Sequence, residues 1–258
     1  MTASITFFPV GNGDMTLIRL DNDQTILVDM HVRAAADDED DDTPDVMGEL
    51  RQRLKRDADG RLYVDAFLLS HPDRDHICGL ETHFHLGPPS DWDEDDDKIL
   101  IREMWSSPLV FRRASKDEVE VDDAKAWWAE ARRRVKLFRE IGFDTGEGDR
   151  ILIMGEDRDE KTDDISDIVV PTGAAFSAAN RISGSAFEAR LLGPLPPSDD
   201  EEEEEVLSKN GSSVILRFSL AGGGYADKCR FLTGGDAGVA IWERIWNEYG
   251  DANSDWLT

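Results

Sequence analysis

The sequence predicts an α/β protein in which sheets are sandwiched between helices, on three observations. Apolar, partly alternating segments occur in groups separated by turn residues, as antiparallel strands require. Segments with apolar residues three and four apart stand between those groups, as helices require. No internal repeat or linker divides the 258 residues, of which 40% are hydrophobic, so one domain over 1–258 is expected.

The elements follow in order. Residues 5–10, 15–20 and 25–30 read as an antiparallel meander, turned by Gly11-Asn12-Gly13-Asp14 and Asp21-Asn22-Asp23. An acidic loop at 37–42 precedes a helix over 44–55, with Val46, Leu50 and Leu54 on one face and Pro44 near its start. Residues 62–70 form a buried strand, and 78–84 a short helix. A second acidic loop covers 91–97. The helix over 119–141 carries Trp127, Val135 and Phe138 as apolar positions, with Arg132-Arg133-Arg134 as a solvated face. Strands are expected at 151–154, 187–192, 214–220 and 231–233, with a mobile acidic loop at 198–205. A helix over 237–249, carrying Val239, Trp242, Ile245 and Trp246, closes the pattern.

Composition narrows the function. The 56 Asp and Glu residues outweigh the 29 Lys and Arg, for a net charge of −27. Such a surface repels nucleic acid at long range and argues against tight non-specific DNA binding, though not against nuclease chemistry, because metal ions supply positive charge locally. No stretch approaches the roughly 20 apolar residues of a membrane span. The N-terminus lacks the pattern of a signal peptide, so a cytoplasmic location is expected. Cys78 and Cys229 form no CxxC pair, and no disulfide framework is expected. Cys78 reads as a small buried residue.

Chemistry concentrates in Ser70-His71-Pro72-Asp73-Arg74-Asp75-His76, at the end of a buried strand. Four potential metal ligands fall within six residues, and two of the chain's five histidines are among them. In extended chain His71 and Asp73 point to one side, and a turn after Asp73 brings Asp75 and His76 back toward them. Imidazole with carboxylate suits Zn²⁺, Mn²⁺ or Fe²⁺ better than Ca²⁺ or Mg²⁺. The competing reading is a polar surface loop in a chain rich in acidic loops. His83 and His85 read as structural or surface residues, and His31, close after Asp29, as a neighbour of the cleft.

HPDRDH resembles the His-x-His-x-Asp-His hallmark of the metallo-β-lactamase superfamily, with Asp73 where most members have His. The variant His-x-Asp-x-Asp-His is similar to the branch of ComEC-type hydrolase domains and their soluble relatives. The resemblance continues in chain order through FFPVGNGDMTLIRL, TILVDMH, KNGSSVILRF and RFLTGGDA, the last with one extra Gly. It implies a metallo-β-lactamase-like αββα sandwich holding two divalent metal ions, Zn²⁺ or Mn²⁺. His71 and Asp73 would bind one ion, Asp75 and His76 the other, and Asp236 would bridge them. Asp29 would orient the loop, reading equally as a structural hydrogen-bond acceptor. Asp14 would lie in a turn near the site, and Asn210 at a strand start, where it also reads as a cap.

The branch continues past the Asp236 region to a Pro-His-His motif, which this chain does not contain. The resemblance therefore implies a C-terminally incomplete sandwich, the chain being a fragment. The other readings are a site completed by a protein partner and a degraded one. The expected activity is hydrolysis by metal-bound hydroxide, positioned by Asp75, on a phosphodiester or nucleic-acid substrate. The alternative is a catalytically impaired or partner-completed binding module.

Overall fold

The computed structural model describes residues 2–37, 42–111, 121–157, 161–183, 187–196, 209–222 and 225–249. The first strands are β1 Ser4–Phe7, β2 Thr16–Arg19, β3 Thr25–Val28, β4 Lys55–Arg56, β5 Leu62–Val64 and β6 Ala66–Leu69. Next come β7 Phe84–His85, β8 Ile99–Ile101, β9 Glu103–Ser106, β10 Arg150–Met154, β11 Val169–Val170 and β12 Ala175–Phe176. The last are β13 Ala178–Ala179, β14 Ile182–Ser183, β15 Phe187–Gly193, β16 Ile215–Gly222 and β17 Tyr225–Thr233. The helices are α1 Val46–Arg53, α2 Arg74–Ile77, α3 Leu80–His83, α4 Asp122–Ile141 and α5 Val239–Tyr249. The protein is thus mixed α/β.

The main sheet has the order β1-β2-β3-β6-β9-β10-β11. The expected meander is its antiparallel edge, in the register Thr16↔Val28 and Ile5↔Ile18. From β3 onward every pairing is parallel, contrary to the expectation of antiparallel groups. The cause is connectivity: α4 stands between β9 and β10, and a crossover of that length returns the chain in the same direction. Strands β3, β6 and β9 are buried throughout, as parallel strands covered on both faces are.

Period-two alternation then builds two cores from one sheet. Leu17, Leu27, Phe67, Leu69, Met104 and Ile151 face Leu50 of α1 and Trp127, Ala131 and Val135 of α4. Ile26, Val28, Ala66, Leu68, Trp105 and Met154 face the other way, against Ala189, Leu191, Leu216 and Phe218 of a second sheet, β12-β15-β16-β17. The outer side of that sheet is covered by α5, whose Ile241 and Ile245 pack on Leu192 and Ile215. Among the described residues, no helix is long and apolar enough to cross a membrane.

Several expectations are corrected. The strand over 62–70 is two strands in two sheets, because the chain steps sideways at Asp65. The small sheet β4-β5-β8-β7 takes β5, and the main sheet takes β6. Arg102 makes the same step between β8 and β9, and its Nη1 pairs with Asp65 at 3.2 Å. The short helix expected over 78–84 is α3, and a further helical turn not expected from the sequence, α2, precedes it across Gly79 at φ +99°. Helix α4 does not present three solvated arginines: Arg134 is fully buried, with Glu130 one turn earlier accepting from both Arg133 and Arg134 at 2.7 Å. The strand at 231–233 extends back to Tyr225, at the edge of its sheet. The acidic segment 91–97 folds into 3-10 turns at Pro89–Asp91 and Glu94–Asp96. Of the acidic loop at 37–42, Asp37 ends a 3-10 turn and 38–41 lie outside the described residues, as does all of 198–205. Cys78 is half-buried rather than buried.

Candidate metal centre

The site sits at the carboxyl ends of β3 and β6, where the burial of both strands gives it rigid supports. Asp29 follows β3 directly and adopts φ +53°, a left-handed conformation that Asp tolerates better than most residues. This turn switches the chain between partners: Asp29 N donates to Leu68 O of β6, and Met30 N to His76 O of α2. The residue before the turn thus belongs to the sheet and the residue after it to the loop that carries the candidate ligands.

Asp29 is itself 1% exposed and accepts three hydrogen bonds. Ser70 N donates to Oδ1 at 2.6 Å, Ser70 Oγ to Oδ2 at 2.6 Å, and His76 Nδ1 to Oδ2 at 2.9 Å. The Ser70 hydroxyl has one proton, and it is spent on Asp29. Ser70 Oγ can therefore only accept from His71 Nδ1, 3.1 Å away. One buried carboxylate thus sets the orientation of both imidazoles, the role that carboxylate partners play behind metal-bound histidines.

With both Nδ1 atoms occupied, both Nε2 atoms turn toward the carboxylates of Asp73, Asp75 and Asp236. His71 Nε2 lies 3.8 Å from Asp73 Oδ2 and 3.7 Å from Asp236 Oδ2. His76 Nε2 lies 3.9 Å from Asp75 Oδ2 and 3.4 Å from Asp236 Oδ1. Asp236 therefore gives one oxygen to each imidazole, and the ring centroids are 4.0 Å apart. Asp14 Oδ2 stands 3.9 Å from His76 Nδ1 on the other side. Asn210 falls in the 3-10 turn Lys209–Ser212, and its side chain lies outside the description. That turn leads to Val214, whose N donates to Ser70 O at 2.8 Å.

Electrostatics distinguish the two imidazoles. Burial pushes the pKa of His71 down, and the neighbouring charge of His76 pushes it further. Burial opposes protonation of His76 too, but its hydrogen bond to Asp29 and the charges of Asp29, Asp75 and Asp236 raise its pKa to about 9. Asp14 is raised by burial and by the charges of Asp29, Asp236 and Asp75. Among the described residues, the ion partners of Asp14, Asp29, Asp73, Asp75 and Asp236 are imidazoles alone.

This donor set fits a divalent cation. His71 Nε2 is a buried atom without a hydrogen-bond partner, and its nearest polar neighbours are two carboxylate oxygens. A lone pair facing carboxylates is well suited to a cation bound between them. The 3.4–3.9 Å donor separations bracket the edge of a tetrahedral shell, about 3.4 Å for bonds of about 2.1 Å. Among the described residues, two triads of mutually close donors occur, His71-His76-Asp236 and Asp14-Asp29-His76. In the second, Asp29 and His76 are already hydrogen-bonded to each other.

Ser70, to which the sequence assigns no role, links Asp29 to His71. Close approach explains two glycines here. A Cβ on Gly13 would lie 2.1 Å from His31 Nδ1 and 2.6 Å from Asp75 O. A Cβ on Gly235, at φ +49°, would lie 2.7 Å from Ser70 Oγ and 3.1 Å from His71 Nδ1. The doubled glycine before Asp236 was the visible signal. His31 does neighbour the cleft. His85 is buried and its Nε2 bonds Pro88 O at 2.9 Å, a structural role.

Compared with protein-family models, with curated proteins and with solved structures, the chain matches none.

Proposed function

We propose that this protein is a metal-dependent hydrolase of the metallo-β-lactamase type, acting on a phosphodiester. The observation that carries the proposal is the split of Asp236, with Oδ2 toward His71 and Oδ1 toward His76. In this reading His71, Asp73 and Asp236 hold one divalent ion, and His76, Asp75 and Asp236 hold the other. The helix–sheet–sheet–helix layering supports it, as does the resemblance of HPDRDH and TGGDA to that superfamily. The ions would supply Lewis acidity at a phosphoryl oxygen and lower the pKa of water toward neutrality.

The residues do the rest. Asp29, through Ser70 and His76, holds the donor atoms in place before any ligand arrives. Asp75, half-exposed beside His76, is the carboxylate placed to accept a hydrogen bond from an attacking water. Buried Ser70 and His71 keep bulk solvent off the inner wall of the cleft. The phosphodiester preference rests on the resemblance to ComEC-type hydrolase domains.

The test is metal content together with turnover. The purified chain is expected to carry two divalent ions. With Zn²⁺ or Mn²⁺ it should hydrolyse bis-p-nitrophenyl phosphate, and the His71→Ala plus Asp75→Ala double variant should lose that activity. Equal rates in both proteins remove the proposal. A non-catalytic binding module is the second reading, favoured by one observation: His76 lies 2.9 Å from Asp29 and 3.4 Å from Asp236, carboxylates able to pair its ring as an imidazolium. A metal-free chain with no turnover in Zn²⁺ or Mn²⁺ would leave that reading standing.

A further inference from the structure

We propose that Arg33 and Arg74 form an anion-binding lip on this site, holding a phosphate group of the substrate beside the metal-ligand cluster. The inference rests on the hydrolase reading for its catalytic meaning, although anion binding is measurable without it. It begins with the segment after Asp29, which runs beside α2: Met30 N bonds His76 O at 2.9 Å and Val32 N bonds Cys78 O at 3.0 Å. Met30 and Val32 are buried, so alternation sends His31 and Arg33 to the opposite face.

That face lies over the 11–14 turn. The His31 ring covers Gly13, and the Arg33 side chain covers Gly11, where a Cβ would stand 3.7 Å from Cδ and 3.9 Å from Nε and Nη1. The same turn belongs to the site, because Asp14 N donates to Asp75 O at 3.1 Å. Arg74, the first residue of α2, stands between the candidate ligands Asp73 and Asp75. Arg33 thus lies over the turn that bonds Asp75, and Arg74 directly precedes Asp75 in the chain, so both arginines border that turn.

Most of the described arginines are ion-paired; Arg33 and Arg74 are not, nor are Arg181 and Arg230, which lie on elements away from this site. Arg19, Arg51, Arg53, Arg56, Arg61, Arg102, Arg133, Arg134, Arg139 and Arg150 are all ion-paired. Arg33 and Arg74 are exposed and, among the described residues, in no ion pair, although the chain carries −27. A cleft lined by carboxylates repels a phosphate unless cations offset it. Two free guanidinium forks at its rim match phosphate oxygens in geometry as well as charge.

The probe is inorganic phosphate, titrated calorimetrically into the full chain with Mn²⁺. Arg33→Gln should weaken phosphate binding about tenfold, and Arg33→Gln/Arg74→Gln about a hundredfold, at unchanged Mn²⁺ stoichiometry. Arg53→Gln/Arg56→Gln, with the same loss of charge near α1 and β4, should bind phosphate as the unmodified protein does. Equal phosphate affinity in the lip and control variants overturns the proposal, as does a wild-type chain that binds no phosphate. If the chain proves metal-free and inactive, the hydrolase reading falls. The same titration without metal then decides the lip: arginine-dependent binding supports it and none overturns it.

Discussion

At the residue scale, buried carboxylates carry the most information. Asp29 receives three donors and points two imidazoles at one cleft. Asp29→Asn keeps the shape but presents an amide to His76 Nδ1, so the ring loses its orienting acceptor. Metal affinity is expected to fall about 10–100-fold, measured by competition with a chromogenic chelator; unchanged affinity would remove Asp29 from this role. Glu103 is the structural counterpart. Its Oε1 accepts from Trp105 Nε1 at 2.8 Å and from Asn180 N at 3.0 Å, and burial pushes its pKa up. Glu103→Gln keeps the acceptor for both donors and removes a carboxyl whose charged form burial disfavours, so at neutral pH it should be as stable as the wild type or more so. Glu103→Ala strands two buried donors and should cost about 2 kcal/mol or more in urea unfolding.

At the element scale, α4 shows how a helix anchors the sheet that presents the site. Its apolar positions Trp127, Val135 and Phe138 were plain from the sequence, and Ala131 completes the stripe in the structure. Its charged residues were not, because burial of Arg134 depends on what lies across from it: the carbonyls of Arg150 and Ile101, which accept from Nη1 and Nη2. Burial raises the pKa of Glu130, but the hydrogen bonds and charges of Arg133 and Arg134 outweigh this and hold it below the usual value of 4.5. The stability it contributes is therefore present above the ordinary carboxyl range and lost as pH falls through its lowered pKa. Glu130→Gln, which leaves Arg134 without its anion, should cost about 3–5 kcal/mol at neutral pH. It should also flatten the acid limb of the stability curve, followed by circular dichroism. An acid limb as steep as that of the wild type would contradict this.

At the scale of the whole molecule, two connections that are distant in sequence meet at one point. The 70–76 loop leaves the main sheet, the 234–236 turn leaves the second sheet, and the contact between those sheets brings Asp236 to His71 and His76. Metal binding should therefore stabilise the packing of one sheet on the other. At a free metal concentration of about 100 times Kd, the gain is about 2.7 kcal/mol. The melting temperature should rise with added Zn²⁺ or Mn²⁺, return with EDTA and stay fixed in His71→Ala plus Asp75→Ala. A metal-dependent rise in the double variant would place the ions elsewhere.

The sequence by itself determined the mixed α/β class, the β1–β3 meander, the main helices and the small set of residues that converge here. Each of those follows from local rules: side-chain periodicity, turn chemistry, and clustering of His and Asp within a few residues. Tertiary structure alone decided that β3, β6, β9 and β10 run parallel, that the chain breaks at Asp65, that Arg134 is buried, and that Ser70 relays Asp29 to His71. Those depend on partners tens of residues away, whose positions are set by packing between layers rather than by any pattern along the chain.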